Sequence, residues 1–271
     1  MAAITASLVN ELRNKTGLGM MECKKMLEQT GGDIEKAIEE FRKKGVKTSI
    51  TERAANEGRV YSAASPDKKI AAAVEINCNT DFTAKSDAVA KVVEKAVQKL
   101  LANPTLHLAE DAEIKEELTA LAKQTGENVV LGRNATLRGS GSSASYLYST
   151  AGKGKVAVLM AFSGPVADDV ATNIGMHIAA ARPIAHQREH VDAALVAKER
   201  EIAVEQAKAT GKPQNIAEKI AEGKLNSFFA ERVLVDQEFI RADYFKGSVG
   251  NLLKSKNATL EKYIRIEVGQ Q

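Results

Sequence analysis

Residues 70–76 read I-A-A-A-V-E-I, a nearly continuous apolar run that is typical of a buried β-strand. Apolar residues at helical spacing follow in residues 88–101, A-V-A-K-V-V-E-K-A-V-Q-K-L-L. Between them lies a polar joint, C-N-T-D-F-T-A-K-S-D (78–87), which contains one of the seven phenylalanines of the chain. The position of Phe82 in this joint raises the question whether the ring closes the protein's own core or is presented to another molecule.

The strand–helix pattern occurs a second time further along the chain. Residues 155–162, K-V-A-V-L-M-A-F, resemble residues 69–76, K-I-A-A-A-V-E-I, and an acidic helix start follows each run. We therefore predict an α+β fold with two related strand–helix core units whose helices cover one sheet face. The joint spans ten residues in the first copy and six in the second. The added length contains T-D-F-T (80–83), and such an addition to one of two similar scaffolds favours a functional role.

The remaining patterns predict how the chain is divided. Three short helical patterns at the N-terminus, separated by glycines, indicate a small three-helix domain. The third pattern begins at Asp33, which we predict to be its N-cap. Two helical patterns around T-G-K-P indicate an antiparallel helical hairpin inserted into the second core unit. The predicted divisions are the three-helix domain (1–45), a linker (46–58), the first core unit (59–140), the second core unit (141–271) and the hairpin (about 192–231).

The composition argues against several classes of protein. The 271 residues include 38 Lys and Arg and 35 Asp and Glu, a formal net charge of +3, whereas nucleic-acid binding requires clustered positive charge. Cys23 and Cys78 are too few for a disulfide framework, which favours a reducing compartment. The N-terminal residues lack a signal-peptide pattern, and no run of about 18 apolar residues could span a membrane. We expect a cytoplasmic protein without membrane or direct nucleic-acid contact.

The motifs of common enzymes are missing from the sequence. It contains no P-loop, G-x-S-x-G or H-E-x-x-H pattern. His186 and His190 are four residues apart, but the charged residues between them indicate a solvated turn rather than a metal site. His177, within I-G-M-H-I-A-A-A, is more typical of a satisfied, partly buried histidine than of a catalytic base. We predict that the protein is not an enzyme and requires no metal or cofactor.

The joint itself allows two interpretations. Thr80 as an N-cap would place Asp81 and Phe82 at the first two helical positions, where an acidic side chain is favourable. Asp81 and Lys85 have the i, i+4 spacing of a surface ion pair, although an enzyme acting through these two residues is a rival hypothesis. Phe82 either folds back over the strand end or projects as a wedge made for a partner. The methionine pair at 20–21 presents the same choice between core filler and adaptable contact surface.

Several motifs resemble those of the bacterial translation elongation factor Ts family, and they occur in family order over nearly the whole chain. The pair T-G-L-G-M-M-E-C-K-K and N-C-N-T-D-F-T-A-K is highly specific. The others are G-D-I-E-K-A-I-E, I-G-M-H-I-A-A-A-R-P, G-K-P-Q-N-I-A-E-K-I-A-E-G-K and Y-I-R-I-E-V.

The resemblance implies a guanine-nucleotide exchange factor for the GTPase elongation factor Tu. In the family the T-D-F segment enters the G domain of that partner and disturbs the site of the magnesium ion and the β-phosphate. The matching residues here are Thr80, Asp81, Phe82 and Thr83. The family's N-terminal domain, which is similar to ubiquitin-associated domains, also contacts the G domain. Further partner-binding positions implied by the resemblance are Arg13, Met20, Met21, Tyr148 and His177.

The chain departs from the family pattern at two places. Family members often carry a histidine where Tyr148 stands, so we expect any contact made there to differ. Many members also continue beyond the last strand into a helix that packs on the partner, and this chain stops at Gln271.

Two further hypotheses remain. The protein could be an RNA-binding translation accessory factor that uses the helical hairpin, or it could form a homodimer through the core or the hairpin.

Overall fold

The computed structural model describes residues 4–16, 18–44, 54–209, 211 and 213–270. In this part of the chain the fold is α+β, as predicted, with three N-terminal helices followed by two three-stranded sheets and their helices. No helix in these ranges is long and apolar enough to cross a membrane.

The N-terminal helices are α1 (Ala6–Thr16), α2 (Met20–Gln29) and α3 (Ile34–Lys43). The Asp33 carboxylate caps α3 by accepting a hydrogen bond of 3.1 Å from the backbone N–H of Lys36, as the sequence predicted. The three helices pack on one another around their own apolar cluster. The buried members of this cluster are Val9, Leu12, Cys23, Met26, Leu27, Ala37 and Phe41.

Deleting residues 1–50 is expected to leave the core units folded, because all members of the N-terminal cluster lie within residues 4–41. The melting temperature of the remaining chain should stay within about 2–4 °C of the full-length value, the shift that about 1 kcal/mol would cause. Circular dichroism melting measures this. A longer deletion of residues 1–64, which also removes the edge strand β1 (Glu57–Ala64), is the control and should lose cooperative unfolding. Loss of cooperative unfolding in the shorter deletion would contradict the predicted domain boundary.

The first core unit has a sheet of three antiparallel strands in the order β1 (Glu57–Ala64), β2 (Ala71–Cys78) and β3 (Val130–Leu137). The two longer helices of this unit are α5 (Asp87–Ala102) and α6 (Ala112–Thr125). Their apolar faces pack against one side of β2, because alternate residues of a strand point to the same face. The first unit is therefore a helix layer on a sheet, as predicted.

The second core unit repeats this plan. Its antiparallel strands are β4 (Ser142–Thr150), β5 (Lys153–Phe162) and β6 (Leu260–Glu267). The helices against this sheet are α7 (Asp168–Ala181) and α10 (Val249–Ser255). Each sheet thus comes from one predicted unit. The unit boundaries themselves remain predictions, and β1 already begins at Glu57, within the last two residues of the predicted linker.

The two sheets pack face to face, which the sequence did not predict. On β2, Val74 and Ile76 belong to the cluster under the helices, whereas Ala71 and Ala73 contact the second sheet together with Leu159 of β5. Both faces of the central strands are therefore buried. This explains why their sequences are continuous apolar runs rather than alternating patterns. The layers run helices, sheet, sheet, helices.

The predicted hairpin is formed by α8 (Ala193–Lys208) and α9 (Gln214–Arg232), which lie against each other. Small side chains form the contact between the two helices, and the Arg200 guanidinium pairs with Glu222 across it. The buried residues of the two helices are Ala203, Ala207, Ala217, Ala221 and Leu225. The helical hairpin insertion is confirmed by this arrangement.

Candidate partner-binding site

A short helix, α4 (Asp81–Lys85), fills the joint between β2 and α5. Thr80 is its N-cap, as predicted, and its hydroxyl accepts a hydrogen bond from the backbone N–H of Thr83 at 3.4 Å. Ser86 ends α4 and at the same time caps α5. Because α4 has only five residues between two caps, its backbone direction is set at both ends by neighbouring turns.

Phe82 projects into solvent from this helix. Its side chain is 83% exposed, whereas the next two residues, Thr83 and Ala84, are buried. The interpretation that Phe82 folds back over the strand end is therefore wrong, and the exposed position is the one the structure has. An apolar ring held in water contributes no burial to the fold of this chain. Single exposed apolar residues are common on protein surfaces, but Phe82 has the highest exposed fraction of the large apolar residues in the described ranges, which makes it a candidate contact residue.

Charged groups lie beside the ring. The Asp81 carboxylate and the Lys85 ammonium form the predicted ion pair, with 2.7 Å between Oδ2 and Nζ. The hydrogen bond from Lys85 lowers the pKa of Asp81, and the charge of Lys153 acts in the same direction. Lys153 is itself buried and bonded to Glu57 at 2.7 Å. The Asp81 carboxylate next to Phe82 thus stays ionised near neutral pH. Because Lys153 is the first residue of β5, its effect on Asp81 also shows that α4 lies close to the start of that strand.

Cys78 lies directly below α4 and is chemically inert. Its thiol is buried and donates a hydrogen bond of 3.2 Å to the carbonyl oxygen of Thr80. Burial, and after it the negative charge of Glu127, raise the pKa of this thiol to about 11. The group is therefore protonated at neutral pH and is no nucleophile. In the described ranges no group of three or more His, Cys, Asp or Glu residues could hold a metal ion.

Comparison with known proteins identifies the family. A family model described as Elongation factor TS matches residues 79–270, which include α4. The elongation factor Ts of Methylococcus capsulatus is 39% identical, with 99% of this chain and 93% of the relative covered. The chain belongs to the elongation factor Ts family. Relatives of the same name from Hahella chejuensis (40% identical; 100% and 93% covered) and Vibrio vulnificus (38%; 99% and 92%) agree. The protein is thus a translation elongation factor that acts in protein biosynthesis.

The N-terminal positions at which the family resemblance implied partner contact are all exposed. Met20 and Met21, at the start of α2, are 50% and 75% exposed, and Arg13 on α1 is exposed as well. The interpretation of the methionine pair as core filler is therefore wrong. Flexible, polarizable side chains at a surface suit an adaptable contact. Their role in partner binding remains a prediction.

Tyr148, one of the partner-binding positions that the family resemblance implied, lies on β4 opposite Val156. Its side chain is 47% exposed. It borders an open cleft together with Met176 of α7 and Arg182 just beyond that helix. A contact with a partner through Tyr148 is sterically open and remains a prediction.

His177 cannot contact a partner directly, which corrects the expectation drawn from the family motif. The residue has no exposed surface. Its Nε2 donates to Oε1 of Gln237 at 3.0 Å, because Nδ1 accepts a hydrogen bond of 3.3 Å from the backbone N–H of Ile240. The ring also stacks on Phe239, with 5.5 Å between the centroids. Both ring nitrogens are used inside the second core unit, so His177 stabilises the fold.

His186 is more buried than predicted. The sequence indicated a solvated turn, but His186 is only 9% exposed and stacks on His190, with 4.7 Å between the ring centroids. Burial, followed by the positive charge of His190, lowers the pKa of His186. Residues 187–190 are all exposed, so the predicted solvated turn is confirmed for them, and only His186 is packed against the protein.

The two buried histidines predict that acid destabilises the protein. Burial lowers the pKa of His177 as it does that of His186, whereas an unfolded histidine has a pKa of about 6.5. Below that pH the unfolded chain binds more protons. Each histidine therefore removes up to about 1.4 kcal/mol of stability per pH unit until its folded pKa is reached. Urea unfolding at pH 7.5 and 5.5 measures the loss.

The variant His186→Gln should reduce this loss of stability on acidification. The variant His107→Gln, which changes an exposed histidine, should leave the pH dependence unchanged. Equal pH dependence in the wild type and the His186→Gln variant would show that this residue does not contribute.

One residue of the site was missed by the sequence analysis. Glu127 follows α6 and lies against α4 in the fold, bonded to Thr83 although the two are 44 positions apart. No local pattern connects them, since Glu127 follows a helix-ending glycine like many polar loop residues. Only a tertiary contact shows that Glu127 belongs to the site.

Proposed function

We propose that this chain is a guanine-nucleotide exchange factor for elongation factor Tu. In this proposal it binds the GDP form of the GTPase and inserts the segment 80–83 beside the magnesium ion and the β-phosphate. GDP then leaves and GTP can bind. The observation that carries the proposal is the exposure of Phe82, 83% of whose side chain is accessible above a buried helix base. We infer the identity of the partner from membership of the elongation factor Ts family.

An exchange factor needs no bond chemistry of its own. It must bind the nucleotide-free GTPase more tightly than the GDP form, because only differential affinity shifts an equilibrium. Burying one phenylalanine contributes roughly 1.5–3 kcal/mol. That energy corresponds to about ten- to a hundredfold in an equilibrium constant. Larger acceleration requires further contacts, which we assign to the N-terminal domain and the second core unit.

Release of a fluorescent GDP analogue from elongation factor Tu tests the proposal. Adding this protein should accelerate release, and gel filtration should show a complex of the two proteins that excess GDP dissolves. The deletion of residues 1–50 should weaken this complex. An unchanged rate of GDP release at saturating concentrations of this protein would refute the proposed function.

The charge of the hairpin does not favour the RNA-binding hypothesis. Helices α8 and α9 each contain three Lys or Arg and three Glu residues. A phosphate backbone is bound by clustered positive charge, with steep salt dependence, and a balanced surface does not provide it. We therefore retain protein–protein contact as the proposed mode of action, without catalysis by this chain. Homodimer formation stays an untested prediction.

A further inference from the structure

A single carboxylate holds the base of α4. The backbone N–H groups of Asn79 and Thr80 each donate to Oε2 of Glu127 at 3.0 Å. The hydroxyls of Thr80 and Thr83 donate to Oε1 of Glu127 at 2.6 and 2.8 Å. All four donors lie within five residues of the chain that carries Phe82. Hydrogen bonds to an ionised acceptor are about twice as strong as neutral ones.

The residues next to Glu127 strengthen this attachment. The backbone N–H of Asn128 donates to Oδ1 of Asn79 at 2.8 Å, and Nδ2 of Asn79 donates to the carbonyl oxygen of Ala54 at 2.8 Å. Gly126 ends α6 in the left-handed conformation, with φ of 68°, a conformation that glycine adopts without strain. The end of α6 is thereby joined to the segment that precedes Phe82.

The helix α4 depends on such tertiary bonds. Isolated helices shorter than about 12–15 residues are marginal in water, and α4 has five residues, of which only Thr83 and Ala84 are buried. Little apolar burial therefore fixes the direction in which Phe82 points. Three of the four bonds to Glu127 come from Thr80 and Thr83, and they are the main polar contacts between α4 with its N-cap and the rest of the described chain.

We propose that Glu127 is a positioning residue for the exchange reaction. It holds α4 in the orientation that presents Phe82 and acts through that ring, without touching the nucleotide. A wedge that is already ordered loses less conformational entropy when it enters its partner. This inference rests on the proposed exchange function, because positioning matters only if Phe82 is the contacting group.

Rates of fluorescent GDP release test the inference when this protein is subsaturating. We expect Glu127→Ala to slow release by about tenfold, which corresponds to about 1.4 kcal/mol. Glu127→Gln should recover part of the rate. Its amide oxygen can still accept from the two backbone N–H groups, and its NH₂ can donate to a threonine hydroxyl. Glu116→Ala, an exposed glutamate on α6, is the matched control and should behave as wild type.

A double-mutant cycle separates positioning from an independent contact. If Glu127 acts through Phe82, then Glu127→Ala should slow release by less than about twofold when Phe82 is already alanine, since coupled residues are not additive. The same tenfold loss in both backgrounds would overturn the inference. So would a Glu127→Ala variant as active as wild type while Phe82→Ala is impaired.

Hydrogen exchange tests the positioning without relying on activity. In Glu127→Ala the amides of residues 79–85 should exchange faster, while those of α5 and α7 keep their protection. Unchanged exchange in residues 79–85 would overturn the positioning role. If neither the wild type nor Phe82→Ala accelerates GDP release from elongation factor Tu, the proposed exchange function fails instead. Hydrogen exchange then still decides whether Glu127 orders α4.

Discussion

GDP release from elongation factor Tu is expected to slow by about ten- to a hundredfold when Phe82 is changed to alanine. The change removes a ring that is 83% exposed in the free protein, so the stability of the fold should scarcely change. The lost energy is that of burying the ring in the partner. Stopped-flow measurement of fluorescent GDP release at a fixed concentration of each variant gives the ratio, and circular dichroism melting checks the fold.

Two further variants show what the ring contributes. Phe82→Leu keeps an apolar side chain of smaller area and should give an intermediate rate. Ile216→Ala removes an exposed isoleucine of the hairpin, 42% accessible, and should release GDP as the wild type does. If Phe82→Ala unfolded while its folded fraction retained normal exchange activity, the ring would be a structural residue and the wedge mechanism would be wrong.

A second large effect is expected at Gly175 on α7, where alanine should destabilise the protein by about 1–3 kcal/mol. A Cβ at this position would lie 2.3 Å from the Cβ of Tyr146 and 3.0 Å from Cε of Met160. The first distance is too short for two carbon atoms that are not bonded to each other, so α7 would have to move away from β4. The urea midpoint should fall accordingly, and the surface around Tyr148 on the same strand would shift with it.

Gly223 on α9 is the matched control for this prediction, because the same substitution should there have the opposite sign. A Cβ at Gly223 meets nothing within 4 Å. Alanine should raise the free energy of unfolding by about 0.4–1 kcal/mol, since glycine in an exposed helix loses more backbone entropy on folding. Destabilisation by both substitutions would mean that helix backbone flexibility, rather than the contact with Tyr146, determines the effect at Gly175.

Much of the secondary structure could be predicted from periodicity alone. The apolar run at 70–76 became β2 and the run at 155–162 became part of β5, because backbone hydrogen bonding and burial act on neighbouring residues. The caps Thr80 and Asp33 were also predicted, since an N-cap bonds within three residues of itself. The sequence predicted a satisfied, partly buried His177, and the structure confirms this. It did not predict the partners of His177, because Gln237 and Ile240 are about 60 residues distant.

Local sequence determined the strand–helix units, the length of the joint between them and the family motifs, all of which depend on residues close together in the chain. Tertiary structure alone decided that the two sheets bury each other's inner faces. It also decided that Phe82 points outward, since the sequence of the joint (78–87) allowed either orientation. The choice follows from the burial of Thr83 and Ala84 and from the bonds to Glu127, which lies 44 residues beyond Thr83. Contacts at that separation leave no periodic trace in a sequence.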